Sequence, residues 1–83
     1  MERATVDVQT FARNFECYLE ESPDGGVDVT TRIEDLPRWT SLQALMVVVG
    51  LERDYGVILS EEEFKKANTV EDLYHIVAQR MAE

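Results

Sequence analysis

With 83 residues, the chain lies near the lower limit at which one hydrophobic core holds a fold without staples, which argues against a second domain and for one unit over residues 1–83. Its 45% apolar content is ordinary for a folded protein and argues against a disordered acidic tail. Seventeen Asp and Glu against eight Lys and Arg leave a net charge of −9. That charge repels nucleic-acid phosphates and anionic lipid and favours basic protein surfaces as partners.

The chain opens Met1, Glu2, Arg3 and lacks the apolar stretch of a signal peptide, while its longest apolar run, residues 44–51, is too short to span a bilayer. Neither targeting nor anchoring is expected. Between roughly residues 5 and 20, Val8, Phe11, Phe15 and Leu19 recur at three- and four-residue steps between Arg13, Asn14, Glu16 and Glu20, which predicts a first helix. Cys17 reads as a small filler on it. As the only cysteine, it can form no internal disulfide, which fits a reducing cytoplasm. Ser22, Pro23, Asp24, Gly25 and Gly26 end this helix. The stretch through Trp39 mixes Asp28, Thr30, Thr31 and Pro37 with isolated apolar residues, and only residues 27–29 alternate as a strand would. It reads as one long ordered loop, held if Val29, Ile33 and Leu36 dock on the core.

Thr40, Ser41, Leu42 and Gln43 match a capping box, so a second helix begins here and runs to about Tyr55, where Gly56 stops it. It is apolar almost all round. Ala44, Val47, Val48, Leu51 and Tyr55 form one set and Leu42, Leu45, Met46 and Val49 another, and only one can face the core. Ser60, Glu61, Glu62 and Glu63 form a second capping box opening a short third helix through about Lys66, its acids reading as a solvated helix start. Thr69 with Asp72 opens a fourth helix carrying Val70, Leu73, Ile76, Val77 and Met81. The expected fold is all-α: a four-helix bundle, one helix short, with the long loop between helices one and two.

No catalytic or metal constellation accompanies these elements. His75, the only histidine, reads as a surface or half-buried helix residue, and neither a Gly-rich phosphate loop nor a Cys/His cluster of zinc spacing is present. The chain is not expected to be an enzyme.

From residue 35 to about residue 81, the chain resembles the acyl carrier proteins, including the peptidyl and D-alanyl carriers. Thr40, Ser41 and Leu42 stand at the family's Asp-Ser-Leu positions. The stretch from Leu51 to Gly56 resembles its Leu-Glu-Glu-x-Phe-Gly turn, Ile58 and Leu59 precede the acidic third helix, and Thr69, Val70 and Asp72 resemble the start of the fourth. The resemblance implies that Ser41 accepts a covalent 4'-phosphopantetheine from coenzyme A through a phosphopantetheinyl transferase. It further implies an acyl group carried as a thioester among acyl-loading and acyl-processing enzymes, such as ketosynthases or acyltransferases, in fatty-acid, polyketide or related lipid synthesis, by a monomer. Two positions depart from the family: Thr40 stands where Asp is usual, and Trp39 where Gly is frequent. The family's outward acids on helix two are replaced here by Met46, Val49 and Arg53. The expected partner surface is therefore Trp39, Thr40, Leu42, Met46, Val49 and Arg53, with Glu62 among the displaced acids.

Each residue has a plainer reading. Ser41 can be a helix cap, and Leu42, Met46 and Val49 can be ordinary core. Trp39 can anchor the loop or stand exposed to partners. The rival function is an unmodified carrier-fold interaction module that uses the apolar face of helix two for permanent assembly, a dimer being one form of it.

Overall fold

The computed structural model describes residues 7–21 and 23–82. Ser22 and the first residues expected in helix one lie outside them. The described chain is mostly helical, with no strand. Helix α1 spans Val8–Tyr18, α2 Ser41–Tyr55, α3 Glu61–Lys65 and α4 Val70–Ala82, and a single 3-10 turn, Ile33–Asp35, lies between α1 and α2.

Each helix start is a local hydrogen-bonding solution to the unpaired amides of a first turn. Asp7 caps α1 by accepting from the Thr10 amide at 2.7 Å. Thr40 caps α2. At α3 the capping box is complete: Ser60 Oγ accepts from the Glu63 amide at 3.1 Å, and the Glu63 carboxylate accepts from the Ser60 amide at 3.0 Å. At α4, Thr69 Oγ1 accepts from the Asp72 amide, and Asp72 Oδ2 accepts from the amides of Asn68 and Thr69. Helix α2 ends at Gly56, whose φ of 70° is the left-handed turn that glycine adopts without a side-chain clash.

Between α1 and α2 the chain is tied down by its backbone. Val29 and Thr31 carbonyls accept from the Glu71 and Val70 amides at 3.0 Å each, and the Ile33 amide donates to the Asn68 carbonyl at 2.9 Å. Arg32 and Thr69 form an isolated antiparallel bridge. The two leading amides of α4 thus find their acceptors in this segment. Ile33 and Leu36 dock as expected and are buried, while Val29 is only partly so. Residues 27–29 form no strand; the Asp28 side chain instead accepts from Thr30 and Thr31 in a tight turn.

Helix α1 lies against both α2 and α4. Phe11 and Phe15 enter the core with Val47, Leu51, Leu73 and Val77. The Phe11 ring sits 5.5 Å from the rings of both Tyr55 and Tyr74. Leu19, expected on helix one, is its extended C-cap.

Candidate functional site

Helix α2 divides as its two apolar sets require. Val47 and Leu51 are fully buried, and Ala44, Val48 and Tyr55 pack on the core beside them. Leu42, Leu45 and Val49 keep 53–59% of their surface exposed, and Met46 keeps 37%. The plainer reading of Leu42, Met46 and Val49 as core is therefore wrong: one face of a 15-residue helix cannot be buried twice.

Ser41 is the first residue of α2 and is exposed. It is not the cap. Thr40 Oγ1 accepts from the Gln43 amide at 3.3 Å, which leaves the Ser41 hydroxyl out of the capping bond. The expected capping box is only half made, because Gln43 does not reach back to Thr40. Its side chain is buried, with Oε1 accepting from the Glu20 amide at 3.2 Å. Gln43 falls four residues before Val47, on the core stripe, and that spacing was the signal for its burial.

Ahead of the cap, Arg38 has a φ of 58°, a left-handed conformation uncommon for a residue with a side chain. Its guanidinium reaches Glu21 at 2.9 Å. Trp39 follows, half-buried, with its ring stacked on Phe64 at 6.1 Å between centroids and 17° between planes. It combines both readings, anchoring the loop while keeping part of the ring accessible.

Trp39, Thr40 and Ser41 stand at one side of a groove of about 530 Å³ between α2, α3 and the 3-10 turn. Ala44, Leu45 and Val48 line it from α2, and Ile33, Leu59, Phe64 and Ala67 from the other elements. Glu34, Glu61 and Lys65 supply its charge, with Lys65 and Glu61 paired at 3.4 Å on exposed stems.

A second hollow of about 330 Å³ opens between α1 and α2 around Cys17, Met46, Val49 and Arg53. Cys17 is exposed rather than a filler, because Phe15 and Tyr18 take the core positions on either side of it. Arg53 lies 5.8 Å from the centre of the Tyr18 ring and 3.2 Å from Asp54. Burial, reinforced by the hydrogen bond to Asp54 at 2.6 Å, pushes the Tyr18 phenol far above its ordinary 10.0.

The expected partner surface is thus split. Trp39 and Thr40 border the groove, Met46, Val49 and Arg53 the second hollow, and Leu42 stands exposed on α2. Glu62 is exposed on α3 and lines neither cavity. Leu45 lines both and joins the surface, as its place three residues after Leu42 and four before Val49 signals. Phe64 was missed because its contact with Trp39 joins segments far apart in sequence. Glu63 is half-buried rather than merely solvated, since it also accepts from Arg80 at 2.8 and 2.9 Å.

Among the described residues, no group of three His, Cys, Asp or Glu converges as a metal site, and no helix is long and apolar enough to cross a membrane. Comparison with protein-family models, curated proteins and solved structures gives no match.

Proposed function

We propose that the chain is an acyl-carrier-type domain, a four-helix bundle with a long ordered loop, in which Ser41 carries 4'-phosphopantetheine and the groove shelters the acyl chain. The observation that carries this reading is the position of Ser41: exposed, relieved of capping by Thr40, and bordering an apolar groove of about 530 Å³. The residues suit the group. Ser41 Oγ would form the phosphodiester while the pyrophosphate bond of coenzyme A breaks, adenosine bisphosphate leaves and the serine proton passes to a base of the transferase. The phosphate would then sit at the positive end of α2. When bound, the arm supplies the thiol that holds the acyl group as a thioester.

In this reading the chain is a non-enzymatic cytoplasmic monomer that binds no nucleic acid. It serves a phosphopantetheinyl transferase and acyl-loading and acyl-processing enzymes such as ketosynthases or acyltransferases. Those partners would dock on Leu42, Leu45, Met46 and Val49 with Arg53 beside them. Because four of these five residues are apolar, docking would depend chiefly on apolar contact and respond weakly to salt.

A second reading has its own support in the same exposed apolar face, which an unmodified interaction module would use directly. One measurement separates the two. The protein and its Ser41→Ala variant are each incubated with coenzyme A and several phosphopantetheinyl transferases, and intact masses are compared. Gain of one phosphopantetheine by the parent alone is the expected result. No gain with any transferase would leave the interaction module as the better account.

A further inference from the structure

Among the described residues, six large apolar side chains are exposed, and four of them, Leu42, Leu45, Met46 and Val49, share one face of α2. Their spacing reads the same from either end: three residues, one, three. A face of this kind complements itself under a two-fold rotation, which lays α2 of a second copy antiparallel on the first and sets Leu42 opposite Val49 and Leu45 opposite Met46.

The shape suits the same operation. The hollow of about 330 Å³ between α1 and α2 lies beside Val49 and Gly50, so the second copy's Leu42, set opposite Val49, stands over its mouth. The rotation repeats this contact, and each copy offers one knob and one hollow. Tyr18 lies against Gly50 within the hollow, and Arg53 is the only charged residue that lines it.

Charge decides where so acidic a chain can meet its own copy, because two molecules of net charge −9 repel each other. In the antiparallel register Arg53 falls near the second copy's Arg38. Each arginine brings its own carboxylate, Asp54 at 3.2 Å and Glu21 at 2.9 Å, so the ends meet as neutral ion pairs rather than as like charges. The contact is small. Leu42 to Val49 covers about 10 Å of helix, whereas a stable interface buries roughly 800 Å² on each partner.

We propose that this face of α2 is a weak, reversible interface between two copies of the chain, packed antiparallel about a two-fold axis that passes between Leu45 and Met46. The inference rests on reading the face as a docking surface, not on modification of Ser41. The monomer is the form that meets other partners, and the pair covers the same face in their absence.

Sedimentation equilibrium of the unmodified protein tests it, with reductant present so that Cys17 forms no crosslink. The average mass should climb from 9.5 kDa towards twice that value with concentration, with a dissociation constant between about 0.1 and 1 mM. Raising salt from about 20 to about 300 mM should tighten the pair roughly threefold by screening the repulsion. Leu42→Ser should weaken it by about thirtyfold or more, because each pair loses the buried leucine twice. Ile58→Ser removes a similarly exposed apolar side chain outside α2 and should leave the pairing within about twofold. For the direction of packing, Leu42→Cys and Val49→Cys proteins, each also carrying Cys17→Ser, are mixed and oxidised. The mixed disulfide should form faster than either homodisulfide, since the antiparallel register brings those two positions together.

A parent that stays at 9.5 kDa up to its solubility limit would overturn the proposal. So would pairing that survives Leu42→Ser, that is lost in an Ile58→Ser protein of parental helicity, or that loosens with added salt. Homodisulfides forming first would overturn the antiparallel packing. The mass gained at Ser41 decides the carrier reading separately, so either result can fail while the other stands.

Discussion

At Gly50 the core has no room for one more methyl group. A Cβ built there would meet the Tyr18 ring at 2.5 Å, and the ring is held from the other end by its hydroxyl, which donates to Asp54 at 2.6 Å. The ring therefore cannot move aside without giving up a partly buried hydrogen bond. Gly50→Ala should destabilise the fold by roughly 1–3 kcal/mol, against the usual gain of replacing a helical glycine with alanine. Denaturant titration checks this, and an unchanged or raised midpoint would show that the ring has a free alternative position. The same scale shows where single residues were legible in the sequence. Spacing alone puts Val47 and Leu51 in one set and Leu42 and Val49 in another, and packing against α1 decides that the first is the buried one. Spacing could not reveal that Gln43 would bond to Glu20 instead of closing its capping box, because that choice depends on where the end of α1 lies in space. Trp39 likewise needed its distant partner, Phe64, before its orientation could be read.

Helix α3 has only five residues, too few to be stable from propensity alone, since an isolated helix of this length does not repay its nucleation cost. Its ends hold it. Ser60 and Glu63 satisfy each other's amides, and Glu63 also receives the Arg80 guanidinium from α4. Because α3 contributes Glu61, Phe64 and Lys65 to the groove, this clamp also keeps one groove wall in place. Ser60→Ala should cost about 1 kcal/mol, which lowers the melting temperature of a domain this size by roughly 4–8 °C. Glu63→Gln should speed amide exchange across α3 while leaving the core amides of α1 protected. Equal acceleration in both helices would mean that α3 opens only with the whole molecule. Elements were the most readable level, because the caps of α2, α3 and α4 are written in adjacent residues. The segment between α1 and α2 was readable only as ordered. Its 3-10 turn and its backbone bonds to residues 68–71 depend on α4, which follows it by more than thirty residues.

Over the whole molecule, a net charge of −9 acts against the compact state through self-repulsion, yet several of the acids responsible are also structural. Among the described residues, hydrogen bonds hold five carboxylates below their ordinary pKa values. The chief cause is the backbone amide of Thr10 for Asp7, the Thr30 hydroxyl for Asp28 and the Tyr18 hydroxyl for Asp54. The amides of Ser60 and Asn68 do the same for Glu63 and Asp72. A group whose pKa is lower folded than unfolded binds fewer protons in the native state, so its contribution is present above the ordinary values, 3.8 for Asp and 4.5 for Glu, and is lost as pH falls through the depressed ones. General repulsion has the opposite dependence, since it eases as the remaining carboxylates begin to protonate. The two effects cross, so the melting temperature at low salt should rise as pH falls from 8, peak between about pH 5 and 6, and drop steeply below pH 4 as these hydrogen-bonded carboxylates protonate. Salt distinguishes the two contributions. At pH 7 it should raise the melting temperature by screening exposed like charges within a Debye length of about 10 Å at 0.1 M. Near the peak it should do much less, because little repulsion is left to screen. A melting temperature at pH 7 that ignores salt would mean that the acids are spaced so that their repulsion costs almost nothing, and the five hydrogen-bonded carboxylates alone would then set the whole pH profile.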